Sequence, residues 1–127
     1  MPKNDPYQAY KQQAVMTMTP GDMLNALYDG ALKELNMALA AFQRHDIPEI
    51  NRSLQKVQRI FNHLRNSLDD QYEISASLGA LYDYFIRVAL QANLKKDPQG
   101  LEDVIQMVGE LKDAYIQADR KLRVSGA

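Results

Sequence analysis

The sequence predicts an all-α protein: an antiparallel four-helix bundle with a short N-terminal arm or helix. Apolar residues recur at alternating steps of three and four, turn residues interrupt this pattern, and no segment alternates apolar and polar residues as a half-buried strand would. With 127 residues, the chain is long enough to bury one core without disulfides or metals. We expect three parts: an arm over residues 1–19, a bundle over 20–122 and a tail over 123–127.

Turn residues set the expected ends of the helices. Thr19, with Asp22 three residues later, resembles a capping box in which Asp takes the place of the usual Glu, and it marks the first helix start. Pro48 and Pro98 mark two further starts, because proline suits the first helical turn. Another break lies around residues 69–72. The predicted helices cover residues 20–44, 48–69, 73–95 and 98–122.

Each predicted helix carries one apolar stripe with a heptad-like period, and these stripes are the expected core. The first two stripes are Leu24, Tyr28, Ala31, Leu35, Ala38 and Phe42, and Ile50, Leu54, Val57, Phe61, Leu64 and Leu68. The last two are Ile74, Leu78, Leu81, Phe85, Val88 and Ala92, and Leu101, Val104, Val108, Leu111, Tyr115, Ala118 and Leu122. Four stripes joined by short connections predict helices that run antiparallel to their neighbours.

A second group of apolar residues falls on sides that a simple bundle would show to water: Met23, Met37, Ile86, Leu90 and Ile116. On the third helix, Tyr82, Ile86 and Leu90 stand at i, i+4 and i+8 and form a second stripe beside the core stripe. Such a stripe suits a partner helix lying in a groove. The N-terminal arm, which carries Tyr7 and Tyr10, is an alternative cover for the same face, and both can hold in different states.

Composition excludes several classes of function. Fifteen Lys and Arg against sixteen Asp and Glu give a net charge of −1, so we expect no nucleic-acid partner. The absence of cysteine excludes disulfides, thiolate chemistry and a Cys-based zinc site. No apolar run approaches the ~18 residues of a membrane span, and the first residues form no hydrophobic signal core. We expect a protein that stays where it is made, without stable membrane insertion.

Helical bundles also hold metals, haem or a phosphorylated histidine, and each of these sites needs particular residues. A di-iron site needs Glu-x-x-His pairs, but Phe42 and Ile60 stand three residues before His45 and His63. A phosphotransfer domain is a sharper alternative because His63 lies in the middle of the second helix, yet residues 64–67 lack the lysine and glycine typical of that family. We predict no catalytic, metal or cofactor site and no enzyme. A histidine phosphotransfer-like bundle and a generic protein-interaction bundle remain as alternatives.

The ordered motifs over residues 7–120 resemble the FliS family of flagellar secretion chaperones. Asp22 and Met23 depart from the Glu and Leu that are usual in that family, and both changes keep the chemical character of the position. The matching segments, in the family's order and spacing, are Tyr7, Tyr10 and Val15, Thr19-Pro20, Leu27-Tyr28-Asp29, Leu54 to Gln58, Leu68-Asp69, Tyr72-Glu73, Leu81 to Tyr84, and Ala92-Asn93.

The resemblance implies a noncatalytic, cytosolic type III export chaperone. Such a protein binds the disordered C-terminal segment of flagellin, prevents premature polymerisation and delivers its client to the flagellar export gate. A flagellar regulatory factor and a cochaperone are further candidate partners for the same face. The residues that we expect to contact the client are Tyr7, Tyr10, Leu68, Tyr72, Tyr82, Ile86 and Leu90.

Overall fold

The computed structural model describes residues 20–125, and side chains from 21 to 121. Over these residues the chain forms four α helices: α1 (Pro20–Arg44), α2 (Ile47–Asn66), α3 (Ile74–Lys95) and α4 (Leu101–Ser125). The predicted all-α four-helix bundle is therefore confirmed. The predicted arm over residues 1–19 lies outside the described part of the chain.

The α1–α2 corner shows why these two helices run antiparallel. His45 ends α1 in the left-handed region with φ 56°, and the backbone N–H of Asp46 donates to the carbonyl of Ala41 at 2.9 Å. The Asp46 side chain then accepts a hydrogen bond from the backbone N–H of Glu49 at 3.2 Å and so caps α2. Pro48 lies in the first turn of α2, as predicted. The chain reverses direction within two residues.

Three helix ends lie three residues from the predicted boundaries. α4 ends at Ser125 rather than at 122, within the predicted tail, and the other two differences have local causes. α2 ends at Asn66 rather than at 69, because the backbone N–H of Ser67 bonds to the carbonyls of both His63 and Leu64 and closes a tighter last turn. α4 begins at Leu101 rather than at 98. The preceding residue, Gly100, has φ 89°, a value that favours glycine and ends the turn before the helix begins.

The four helices pack as neighbours around the bundle, but one side is less tightly closed. α1 packs extensively against α2 and α4, and α2 packs extensively against α3. α3 and α4 make the fewest contacts of these adjacent pairs. Apolar side chains on the facing sides of α3 and α4 are therefore less completely covered than those between α1 and α2.

The core draws residues from all four helices. On α1 and α2 it follows the predicted stripes closely, with Leu24, Phe42 and Leu68 half-buried at the margins. On α4 only the first half of the predicted stripe is fully buried, and Ala118 is exposed. The buried apolar residues are Tyr28, Ala31, Leu35, Ala38, Ala41, Ile50, Leu54, Val57, Phe61, Leu64, Leu78, Tyr82, Phe85, Ala89, Ala92, Leu101, Val104 and Val108.

The predicted α3 stripe is correct at every second position and displaced by one residue at the positions between. Leu78, Phe85 and Ala92 are buried as predicted, but the positions between them that face the core are Tyr82 and Ala89. Their neighbours in the predicted stripe, Leu81 and Val88, are half-buried, and Ile74 is 62% exposed. The predicted stripe and the observed stripe share Leu78, Phe85 and Ala92. Between these residues, the sequence offers apolar side chains for either stripe, Leu81 with Val88 or Tyr82 with Ala89. The contacts of Tyr82 with Tyr28 of α1 and Phe61 of α2 select the observed pattern.

A cluster of charged side chains closes the surface of the α1–α2 interface. Glu34 is buried on α1, and its two carboxylate oxygens accept from Arg52 Nη2 at 2.8 Å and pair with Lys56 Nζ at 3.4 Å. Arg52 also pairs with Glu49 at 2.6 Å. The buried carboxylate has cations on both oxygens, which offsets the cost of removing it from water.

Candidate partner-binding surface

Three apolar residues form an exposed ridge on α3: Ile86, Leu90 and Leu94, which we call the α3 ridge. They stand at i, i+4 and i+8, so they lie along one side of the helix. Ile86 is half-buried and packs against the core, Leu90 is 39% exposed and Leu94 is 70% exposed. Exposure increases along the helix, so the ridge offers its largest free apolar surface near the C-terminal end of α3.

Uncharged polar side chains lie beside the α3 ridge on the neighbouring edge of α2. Gln58 is half-buried, and Gln55 and Asn62 are exposed on the same side of that helix. This strip is bounded by contacts between the two helices. Arg65 of α2 pairs with Asp83 of α3 at one end.

At the other end of the strip, Lys96 Nζ bonds to Asn51 Oδ1 at 2.6 Å and to the backbone and side-chain oxygens of Asn93 at 2.7 Å. From Asp83 to Lys96 the α3 axis runs about 20 Å. A surface of this length, apolar on one side and amide-lined on the other, matches a helix with an apolar stripe and an uncharged polar flank.

Tyr82, predicted to lie on the outer stripe, is not part of this surface. Its side chain is 1% exposed, and its hydroxyl lies 2.6 Å from the hydroxyl of Tyr28. Its ring packs on Phe61, with 6.0 Å between the ring centroids. The prediction was wrong because four-residue steps drift around a helix, so a series that begins at a core position moves to the surface further along. Tyr82 is the core end of that series and Leu94 its surface end.

The buried tyrosines form a network that joins three helices. Tyr28 of α1 pairs with Tyr82 of α3 through the hydroxyls and lies against Tyr115 of α4, with 5.7 Å between the centroids. Burial raises the pKa of Tyr28 far above its ordinary value, and the hydrogen bond with Tyr82 adds to this effect. Burial also raises the pKa of Tyr82 and of Tyr115. All three phenols are therefore held neutral in the folded protein.

The α2–α3 corner, where Leu68 and Tyr72 were predicted to contact a partner, combines apolar side chains with a mostly polar cleft. Leu68 is half-buried against the core and lines an open cleft of about 340 Å³ together with Arg65, Gly79 and Asp83. Tyr72 is exposed in the connection between the helices. Leu68, Ile86 and Leu90 thus lie along the same α2–α3 side, with the Arg65–Asp83 pair between the corner and the ridge. Tyr7 and Tyr10 lie outside the described residues.

The prediction from sequence missed Leu94 and misplaced Ile74. Leu94 continues the series of steps of four from Tyr82 through Ile86 and Leu90, so its spacing was a signal that could have identified it. Ile74 was assigned to the core by the same kind of spacing. It is exposed because it lies in the first turn of α3, at the less tightly closed side of the bundle.

Other kinds of site find little support among the described residues. His63 is exposed on α2, and the side-chain hydrogen bonds and ion pairs that join residues 21–121 do not involve its ring. No three His, Asp or Glu side chains in the described part of the chain are placed to share a metal ion. None of the described helices has the length and apolar content needed to cross a membrane.

Comparison with known proteins identifies the family. Residues 3–122 match the family model for the flagellar protein FliS. The flagellar secretion chaperone FliS of Bacillus subtilis is 41% identical over 122 residues, which cover 94% of this chain and 92% of the relative. The flagellar secretion chaperone FliS of Vibrio cholerae is 36% identical over 116 residues, with 87% and 85% covered.

A solved structure supports the same fold. The crystal structure of a bacterial flagellar chaperone superposes with a TM-score of 0.77 at 21% identity, over 92% of this chain and 97% of the other. Its similarity concerns the bundle architecture, whereas the sequence relatives carry the assignment of family. The chain belongs to the FliS family of flagellar secretion chaperones, whose role is not enzymatic.

Proposed function

We propose that this protein binds the disordered C-terminal segment of flagellin in the cytosol, keeps it from polymerising and delivers it to the flagellar export gate. Membership of the FliS family supports a chaperone role in flagellar secretion. The observation that carries the finer proposal is the exposed part of the α3 ridge, Leu90 and Leu94, which do not belong to the core or to the residues packed against it. The client segment supplies what the ridge lacks, an apolar helical face.

The chemistry of the α2–α3 side favours a helical client over a strand. The exposed groups there are side chains on two helices whose backbone hydrogen bonds are internal, so no sheet edge is offered for strand addition. The client must instead fold as it binds. That ordering costs several kcal/mol, so we expect a long contact with many modest pockets.

The proposed contact surface consists of the α3 ridge and the α2–α3 corner. Leu90 and Leu94 offer the exposed apolar area, and Leu68 with Tyr72 extends it past the Arg65–Asp83 pair. Tyr7 and Tyr10 stay in the proposal on the strength of the family resemblance. Tyr82 is not part of the proposed contact surface, because its side chain is buried against Phe61 of α2 and Tyr28 of α1.

Calorimetric titration with a synthetic peptide of the flagellin C-terminal segment tests the ridge. Leu90→Asp buries an unpaired carboxylate in the contact, so we expect binding to weaken by more than about tenfold. Met37→Asp is the control for the added charge, because Met37 of α1 is 36% exposed against 39% for Leu90 and lies beside Arg52 of α2, away from the α3 ridge. The control should bind as the parent protein does, and both variants should keep their helical circular dichroism.

The same pair of variants tests the effect on polymerisation. The parent protein and Met37→Asp should delay the growth of light scattering by flagellin monomers, and Leu90→Asp should not. Equal peptide affinity and equal delay for Leu90→Asp and the parent would remove the α3 ridge from the proposal. Failure of the parent protein to bind the peptide would contradict the proposed function itself.

A further inference from the structure

An open cleft of about 610 Å³ lies where the end of α1 meets the connection from α3 to α4. Its apolar part comes from Leu39 and Phe42 of α1, which are half-buried and packed against the core, and from the exposed Pro98. Leu39 and Phe42 are three residues apart, so both face the cleft from adjacent turns of the helix. The cleft has room for one or two large apolar side chains of a partner rather than for a whole helix.

The other wall of this cleft is acidic. Asp97, Glu102 and Asp103 line it, and all three are exposed. Asp97 Oδ1 accepts a hydrogen bond from the backbone N–H of Gln99 at 3.1 Å, so that carboxylate also serves the turn. Glu102 and Asp103 belong to none of the ion pairs formed between described residues.

Lys96 offsets only part of the charge on this wall. It lines the cleft, and its ammonium bonds to three neutral oxygen atoms of Asn51 and Asn93. Those bonds satisfy its three N–H donors but leave its positive charge in place, so one ammonium faces the three carboxylates of Asp97, Glu102 and Asp103. The cleft therefore combines an apolar floor with an excess of negative charge on its acidic wall.

We propose that this cleft docks a basic, apolar segment of a partner protein, in which a bulky apolar side chain covers Leu39 and Phe42 and a neighbouring Lys or Arg faces Glu102 and Asp103. Charge complementarity selects this occupant, because an acidic or uncharged segment would leave the two carboxylates without a cation. The α3 ridge has a different character, since its neighbours on α2 are uncharged amides and the exposed charged residue one turn before Leu90, Arg87, is a cation. The two surfaces differ in chemistry, and the cleft lies on the α1–α4 side of the bundle, so its occupant is distinct from the client that the proposed function places on the ridge.

Titration of the full-length protein with two short synthetic peptides tests this inference. One peptide carries leucines flanked by lysine and arginine, and the other has the same leucines flanked by glutamate. We expect the basic peptide to bind and to lose affinity as the salt concentration rises, and we expect the acidic peptide not to bind. Chemical shift changes caused by the basic peptide should centre on Leu39 and Phe42.

A pair of charge-neutralising variants tests the acidic wall. The double variant Glu102→Gln with Asp103→Asn should bind the basic peptide about threefold to tenfold more weakly. The double variant Glu110→Gln with Asp113→Asn removes the same charge from exposed positions further along α4 and should bind as the parent does. If both double variants weakened binding equally, the effect would come from the net charge of the protein rather than from the cleft, and the proposal would be overturned. A failure of the basic peptide to bind the parent protein would also overturn it.

Two other occupants give distinguishable results. If the arm of this chain fills the cleft, carbodiimide treatment of the free protein should cross-link Lys3 or Lys11 to Glu102, and the basic peptide should not compete at micromolar concentration. If a second copy fills it, sedimentation should show a dimer that Glu102→Gln with Asp103→Asn dissociates. Either result would overturn docking of a partner protein at this cleft.

Discussion

The α1–α2 pair and the α3–α4 pair are both antiparallel neighbours, but they cover their apolar side chains to different extents. Between α1 and α2 the centre of the interface is fully buried, residues at its margin such as Leu39 and Phe42 are half-buried, and charged groups around Glu34 close the outer surface. Between α3 and α4 contacts are few, Leu81 and Val88 are half-buried, and Ile74 is exposed.

On the proposed function, the difference separates stability from recognition within one small domain. The α1–α2 pair contributes buried area and an ion-pair cluster, and its exposed apolar residues, Met23, Met37 and Ile47, form no row like that of the α3 ridge. Helix α3 uses one side for the core and keeps another side, the α3 ridge, available. A chaperone needs such a division, because apolar surface given to the core is no longer available to the client.

The largest expected effect comes from the well-packed pair. Leu54 of α2 is fully buried, so Leu54→Ala removes packed methyl groups and leaves a cavity. We expect it to lower the free energy of unfolding by about 2–5 kcal/mol, measured by urea denaturation. A loss below about 1 kcal/mol would show that the α1–α2 pair is not the stable half of the molecule.

An intermediate effect is expected from the tyrosine network that fastens α3 and α4 to α1. Tyr82→Phe removes the hydroxyl that lies 2.6 Å from the hydroxyl of Tyr28, so the buried Tyr28 hydroxyl loses a hydrogen-bond partner. We expect the free energy of unfolding at neutral pH to fall by about 1–2 kcal/mol. An unchanged value would mean that the hydroxyl pair does not help to hold the bundle together.

The pH dependence of the same variant follows from the raised pKa values. A phenol whose pKa is higher in the folded state than in the unfolded state binds its proton more tightly when folded. Its contribution to stability is therefore full below the unfolded pKa of about 10 and is lost as the pH rises above it. The Tyr82→Phe variant has one such phenol fewer, so its free energy of unfolding should fall less steeply with pH than that of the parent. The difference in free energy of unfolding between the two proteins should therefore shrink in urea titrations at alkaline pH.

The smallest expected effect on stability comes from the α3 ridge. Leu94→Ala makes the same chemical change as Leu54→Ala, but Leu94 is 70% exposed. We expect the free energy of unfolding to change by no more than about 0.5 kcal/mol. On the proposed function, the flagellin peptide should nevertheless bind more weakly to this variant. A large loss of stability together with unchanged peptide binding would reverse the assignment of roles to the two halves.

Sequence periodicity predicted α1 and α2 well because each of these helices has one clear apolar stripe. On α3 apolar residues occupy both Leu81 with Val88 and Tyr82 with Ala89, so two phases of the stripe were compatible with the pattern. The tertiary contacts of Tyr82 with Tyr28 and Phe61 decide between them. That information lies in residues far away along the chain.

The two candidate surfaces differ in how far the sequence could reveal them. The outer spacing of Ile86 and Leu90 was visible in the sequence, and Leu94 could have been added by extending it one step. The acidic cleft was not predictable in this way. Leu39 and Phe42 meet Glu102 and Asp103 only because α1 and α4 are packed side by side, and each pair alone looks like an ordinary helix margin.

Carrying exposed leucines on a helix has a consequence for solubility. Aggregation through β structure needs a strand edge or an extended segment whose backbone donors and acceptors are free to pair with another copy. Around Leu90 and Leu94 the backbone groups are already used within α3, and the nearby amides of α2 keep the surroundings hydrated. Around the α3 ridge, the described chain therefore exposes apolar side chains without offering a backbone template for β pairing.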